Sequence, residues 1–205
     1  GGLSRVETYV RTQRKELGRE QVVVLDNGDI LQGQPTAYYY NFIDTTSTHF
    51  CAQALNYIEY DAATIGNHDI ETGHAVYDRW VGECNFPMLG ANVVSTSTGR
   101  PYWKPYTIIE RNGIRIGVLG MITPSIPKWL PNNLWSGLRF DDLVETARRW
   151  LPEMRYKEHA DIIVGLFHSG IGNQNARGRM FENAALQVAR MVPGFDIIFC
   201  GHDRR

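Results

Sequence analysis

Gln21-Val22-Val23-Val24-Leu25-Asp26-Asn27-Gly28-Asp29 is a nearly continuous apolar run that breaks straight into a polar turn. Continuous rather than alternating hydrophobicity indicates a strand covered on both faces, as in a parallel sheet between helices. The pattern recurs along the chain. Ala62-Ala63-Thr64-Ile65 runs into Gly66-Asn67-His68-Asp69, and the apolar segment from Asp161 to Phe167 runs into His168-Ser169-Gly170. Phe195-Asp196-Ile197-Ile198-Phe199-Cys200 runs into Gly201-His202-Asp203. Each reads as a buried strand ending in a polar cluster, and Phe86 to Leu89 reads as a further short strand before Gly90-Ala91-Asn92.

The segments between these strands carry helical spacing. Leu3, Val6, Tyr9, Val10 and Leu17 mark an amphipathic helix, capped near Ser4 and stopped near Gly18. Residues 35 to 60 hold one or two helices rich in aromatics, among them Tyr38, Tyr39, Tyr40, Phe42 and Phe50; such residues are more often core or rim packing than a platform for a base. His74 to Cys84 and Phe181 to Met191 are helical, as is Asp141 to Ala160, which Pro152 kinks or divides. Tyr106 to Glu110 and Ile114 to Leu119 flank Arg111-Asn112-Gly113. Asn and Gly both tolerate the positive φ of a tight turn, so this is a hairpin. Strands alternating with helices, without repeats or a low-complexity linker, predict one α/β domain over residues 1–205.

The 205 residues are 43% hydrophobic and 21% charged, with a net charge of -1, which suits one large domain with a filled core. Near-zero charge argues against a general binder of nucleic acid or membrane surfaces. The Arg148-Arg149 and Arg204-Arg205 pairs fit a solvated helix face and a chain end. Cys51, Cys84 and Cys200 are widely spaced and form no CxxC pair, so they read as three buried thiols. No run approaches the ~18 apolar residues that span a bilayer. The chain opens on Gly1-Gly2-Leu3 without an initiator Met, as expected of a processed or trimmed product.

The strand ends carry the chemistry. Asp29, Asn67 with His68, His168 and His202 each follow a different apolar run, and in open α/β sheets sites form beyond the carboxyl ends of the strands. Burying such groups unpaired costs about 1–3 kcal/mol each, so they need partners. A mix of carboxylate, amide oxygen and imidazole suits Zn, Mn or Fe rather than Ca.

Gly28-Asp29, then Gly66-Asn67-His68-Asp69, then His168, then Gly201-His202 resembles the signature of the calcineurin-like metallophosphoesterases. Within that superfamily the spacing is similar to the bacterial 5'-nucleotidase and 2',3'-cyclic-nucleotide phosphodiesterase group. The resemblance covers essentially the whole chain and implies a β-sandwich flanked by helices (α/β/β/α layers) around a two-metal centre. It implies that Asp29 bridges the metals, that Asn67, His168 and His202 complete the second site, and that His68 is the catalytic imidazole, oriented by Glu71. The implied reaction is hydrolysis of a nucleotide phosphoester by a metal-bound hydroxide, on a small-molecule substrate rather than a nucleic-acid polymer. The implied location is the periplasm or cell surface.

Two departures qualify this. The family's opening Asp-x-His strand has no counterpart before Leu3, and Arg204 stands where the family has the last His of Gly-His-x-His. The expectation is therefore a fragment lacking the first strand, holding one metal at best, with self-association through the incomplete sheet. The alternative is a binding or scaffold domain with a degenerate metal site.

Overall fold

The computed structural model describes residues 2–173 and 182–203. Helix α1 (Gly2–Leu17) begins before Ser4, and its buried Val10 packs with Val24 and Ile58. Arg14 reaches across to donate to the carbonyl oxygens of Ile58 and Glu59, both at 2.7 Å. Those are carbonyls that the helix ending at Ile58 leaves unpaired, so one guanidinium caps a neighbouring helix. Strand β1 (Leu25–Asp26) is shorter than its apolar run. Arg19–Gln21 form a 3-10 turn, and the Val24 N–H goes to the Asp61 carboxylate at 2.8 Å instead of to a strand.

Next come α2 (Pro35–Phe42), α3 (Phe50–Ile58), β2 (Ala62–Thr64), α4 (Asn67–Ile70), α5 (His74–Glu83) and β3 (Met88–Leu89). Strands β1, β2 and β3 form a parallel sheet in that order, with Leu25 opposite Ala62 and Ala63 opposite Met88. Strand β4 (Val93–Ser95) pairs later in the chain with β7 (Leu138–Phe140). The expected hairpin is β5 (Tyr106–Arg111) with β6 (Ile114–Ile122). Asn112 and Gly113 take φ of 50° and 79° at its turn, the geometry that matches the twist of the strands.

Short helix α6 (Ile126–Trp129) interrupts the proline-rich loop. Helix α7 (Leu143–Pro152) ends where Pro152 lacks its N–H, and a π-type turn (Glu153–Lys157) follows. Strand β8 (Ile162–His168), α8 (Ala185–Met191) and β9 (Ile197–Cys200) complete the order. The second main sheet runs β5-β6-β8-β9, with the last three strands parallel.

The two main sheets lie face to face. Ala62 and Leu89 from the first pack against Val118, Val164 and Leu166 from the second. Strand residues alternate between this inner layer and the outer ones. Ala63 and Met88 pack with Leu55, Tyr77 and Trp80 on the helical side of the first sheet. Leu119, Met121 and Ile163 pack with Leu143, Ala147 and Val188 on the far side of the second. This is the expected order of helix, sheet, sheet and helix. The sheets are in tight contact at Gly120, where a Cβ would lie 2.3 Å from that of Leu89.

Two expectations fail. Strand β9 is not buried: it is the edge of its sheet, with Ile197 46% and Phe199 49% exposed. The thiols differ as well, Cys51 being buried, Cys84 half-buried and Cys200, on that edge strand, exposed.

Candidate metal centre

Strands β1 and β2 end in turns pressed together. A Cβ on Gly28 would meet the Gly66 nitrogen at 2.7 Å, and one on Gly66 would meet the Asp29 carboxylate at 2.2 Å. Only glycine allows this approach, and Gly28 also needs its positive φ of 88°. The Asp69 side chain ties the two turns. Its Oδ2 accepts the N–H groups of Asp29 and Gly66, each at 2.8 Å, and its Oδ1 accepts that of Leu31 at 3.0 Å. Burial, then the nearby Asp29 charge, push the Asp69 carboxyl up to about 6, against the pull of those amides.

The residues expected as ligands meet around one amide oxygen. Asn67 Oδ1 lies 3.0 Å from His168 Nε2 and 2.8 Å from His202 Nδ1, and Asp29 Oδ2 lies 3.1 Å from His168 Nε2. Ligands ~2.1 Å from a shared cation and at right angles or somewhat wider sit ~3.0–3.4 Å from one another, so the spacing is close to that of a coordination shell. Among the described residues no three His, Cys, Asp or Glu side chains form a metal cluster by themselves; the Asn67 oxygen closes the set.

Proton counting supports a cation. His168 Nδ1 lies 2.6 Å from the Asn27 carbonyl oxygen, an acceptor, so Nδ1 carries hydrogen. In the neutral ring Nε2 then presents a lone pair to two oxygen acceptors, which only a proton or a metal reconciles. A carbonyl holding the remote nitrogen is also the usual outer support of a metal-bound His. Burial favours neutral His168, yet the Asp29 carboxylate overrides it and raises the imidazole above its ordinary value. Burial likewise opposes ionised Asp29, but the hydrogen bond and charge of His168, followed by the His68 N–H at 2.9 Å, hold it below the carboxylate range.

His202 is held on three sides. Besides Asn67 it has Glu182 Oε1 at 3.3 Å from Nε2, and the Trp129 indole stacks on its ring at 5.5 Å between centroids. Its φ is 76° and that of Asp29 is 69°. Such backbone costs roughly 1–3 kcal/mol in residues other than glycine and concentrates at functional sites.

His68 stands beside this group. Its Nδ1 is 2.7 Å from Glu71 Oε2, the contact the sequence pairing anticipates, and the Gln32 amide reaches the same oxygen at 3.4 Å. A cleft of about 260 Å³ opens next to His68 and Glu71. The sequence reading missed Asp69: adjacent to His68, it passes for part of the same polar cluster, and nothing local reveals its amide partners some forty residues away. Arg204 lies outside the described residues.

A family model described as calcineurin-like phosphoesterase matches residues 1–204. The trifunctional nucleotide phosphoesterase protein YfkN of Bacillus subtilis is 33% identical over 216 residues, covering 98% of this chain and 14% of the relative. The 2',3'-cyclic-nucleotide 2'-phosphodiesterase/3'-nucleotidase of Yersinia enterocolitica is 32% identical over 212 residues, covering 98% of this chain and 32% of the relative. The chain thus spans a third or less of the length of these relatives. The crystal structure of calcineurin-like phosphoesterase YfkN from Bacillus subtilis is similar at a TM-score of 0.86 and 32% identity, over 98% of this chain and 64% of that one. A putative 5'-nucleotidase structure from Staphylococcus aureus gives 0.80 at 27% identity, over 96% and 39%.

Proposed function

Because the chain belongs to the calcineurin-like phosphoesterase family, we propose that it hydrolyses phosphoester bonds of nucleotides, as a 5'-nucleotidase or a 2',3'-cyclic-nucleotide phosphodiesterase. The observation that carries this reading is the meeting of His168 and His202 at the Asn67 amide oxygen, with Asp29 against His168 Nε2 and the His68–Glu71 pair alongside. Those four residues would hold a divalent cation, with Mn, Zn and Fe favoured by the mixed nitrogen and oxygen donors. Bound there, the cation supplies Lewis acidity toward a phosphoryl oxygen and toward the attacking water.

The chain's own residues supply the rest. Asp29 stays ionised and lends negative charge to the cation. Glu71 accepts the His68 Nδ1–H, which fixes the ring. No hydrogen bond engages His68 Nε2 among the described residues, so that atom is open to exchange a proton with the phosphate or with the departing ester oxygen. The described ligand set accounts for one cation per chain. A periplasmic or cell-surface location belongs to the proposal through the family resemblance. No helix among the described residues is long and apolar enough to cross a membrane.

The test is hydrolysis of 2',3'-cyclic AMP, 3'-AMP and 5'-AMP by the full chain. Activity should vanish on chelation and return with Mn, with one metal equivalent bound by plasma mass spectrometry. Turnover that survives complete chelation, or none on any of the three esters with Mn, Zn or ferrous iron, overturns the proposal. Two tightly held equivalents would overturn the single-cation assignment.

A further inference from the structure

Asn67 and His202 reach the candidate centre from different sheets. Asn67 follows β2 in the first, and His202 follows β9, the exposed edge of the second. His168 ends the central strand β8 and is 3% exposed, so its backbone has a paired strand on either side. His202 follows a strand paired on one side only, at a φ of 76° that a residue other than glycine holds under constraint. The aim of its ring therefore depends on the side chains that touch it.

Glu182 Oε1 faces His202 Nε2 at 3.3 Å, which places the ring hydrogen there and turns the Nδ1 lone pair toward Asn67 Oδ1 at 2.8 Å. Contacts at the two nitrogens leave the ring free to roll about the line between them. Trp129 closes that freedom. Its indole lies against the imidazole face, 24° between planes, and so sets the plane in which Nδ1 points. The indole is 42% exposed and is not a core residue.

Trp129 is itself held in place. It ends α6, whose Ile126 is fully buried in the cluster that contains Ile70 and Tyr77. The chain after it is strapped onto α5. The Tyr77 hydroxyl donates to the Leu134 carbonyl oxygen at 3.0 Å, and His74 Nε2 donates to that of Ser136 at 2.8 Å. Trp135 Nε1 closes the strap on itself through the Leu130 carbonyl oxygen at 3.0 Å. Helix α5 follows the short helix that carries Asn67, whereas the strap leaves from β6 in the second sheet. The strap thus ties His202 to the same frame as Asn67.

Resting on the hydrolase reading and its cation, we propose that Trp129 is a positioning residue for His202, fixing the ring so that Nδ1 faces the cation held with Asn67. An imidazole whose lone pair is drawn toward a cation becomes electron-poor, and an indole face attracts such a group as it attracts positive charge. The stack therefore favours the state that holds the cation over the state that does not.

The full chain carries the test, in two arms. In chelator, the indole ring current shifts the His202 ring protons, assigned by their loss in His202→Asn; NMR should show that shift disappear in Trp129→Leu. Calorimetric titration with Mn should show binding weakened roughly two- to tenfold in Trp129→Leu, the scale of one aromatic pair, and largely recovered in Trp129→Phe, which keeps a ring. Thermal melts check folding, and Trp129→Met repeats both arms should the leucine variant not fold. A His202 resonance that ignores loss of the indole overturns the stack. Mn affinity equal to wild type without the indole, or a phenylalanine variant no better than the ringless one, overturns the positioning role. Where the wild type still hydrolyses an ester, those results leave the hydrolase reading intact. A wild type that shows the expected losses of Mn affinity but hydrolyses no nucleotide ester supports the positioning role and overturns the hydrolase reading instead. A wild type that binds no Mn, Zn or ferrous iron overturns both.

Discussion

The main-chain oxygen of Asn27 lies 2.6 Å from Nδ1 of His168, and that contact decides which nitrogen the ring offers to Asp29 and Asn67. A side chain whose tautomer is fixed by backbone is preorganised toward a cation, because binding then requires no rearrangement of hydrogen bonds. Substituting His168 or its partner Asn67 should show this. We expect Asn67→Ala and His168→Ala to weaken Mn binding at least tenfold, a change at least as large as the ~10–100-fold loss that follows disruption of outer support. Calorimetric titration of the folded variants measures it, and wild-type affinity in Asn67→Ala would remove that residue from the set.

His68 and Glu71 should behave differently from the residues proposed to hold the cation. His68→Asn is expected to lower kcat by roughly 10²–10⁴-fold, the usual contribution of a positioned acid–base group. Metal affinity should stay within a few-fold of wild type. Glu71→Gln keeps the shape of the pair but loses its charge, so its loss should be smaller. Equal losses of metal and turnover in His68→Asn would make it a structural support of the metal turns.

Acidification should loosen the fold through His49. Its folded pKa of about 4 lies below the 6.5 of an ordinary imidazole. Between those values the unfolded chain binds a proton that the folded chain refuses, so stability falls as pH drops through this window and is full above it. The group contributes up to about 3 kcal/mol of this slope. The Asp69 carboxyl, held up at about 6, titrates in the opposite sense, so the difference between wild type and His49→Gln carries the test: urea unfolding at pH 7.5, 6 and 5 should show the gap between the two proteins narrowing as pH falls. A gap that stays constant over this range would contradict the assignment.

The contact between sheets leaves no space for one more carbon. Gly120→Ala places a Cβ 2.3 Å from that of Leu89 and 3.2 Å from Thr64 Oγ1. Overpacking of this kind costs roughly 1–3 kcal/mol or more, which denaturant unfolding resolves. An alanine variant as stable as wild type would mean that the sheets slide apart easily.

The edge strand β9 should make the chain associate. Ile197 and Phe199 lie exposed on it, and such strands recruit other chains unless a charge interrupts them. Ile197→Lys is expected to shift light-scattering mass toward monomer. A wild type that stays monomeric at high concentration would count against this.

The sequence makes the grouping of the candidate residues at the strand ends legible and leaves their wiring hidden. Ala62–Ile65 and Ile162–Phe167 are apolar on both sides because each strand lies between another sheet and helices, and that environment writes itself into consecutive residues. The polar groups after them are visible because a strand end is a local event. Asn112-Gly113 is equally local, since the turn is set by φ alone. The role of Asp69 depends on amides of Asp29 and Leu31 delivered by a distant turn, and no nearby pattern encodes that. Strand β9 misleads for a related reason: Phe195 to Cys200 has the composition of a central strand, but exposure is set by its neighbours. Tyr38 and Phe42 look like packing residues for the same reason, although the structure leaves both rings open.

The Asp69 carboxylate has one more consequence. It receives the amides of Asp29, Leu31 and Gly66, which belong to two separate turns. Neither turn can swing out without stranding a buried carboxylate, so the two open together or not at all. Local unfolding proceeds in such cooperative units. These three amides should therefore share a single hydrogen-exchange free energy, and loss of Asp69 should release Leu31 and the metal turns as one piece.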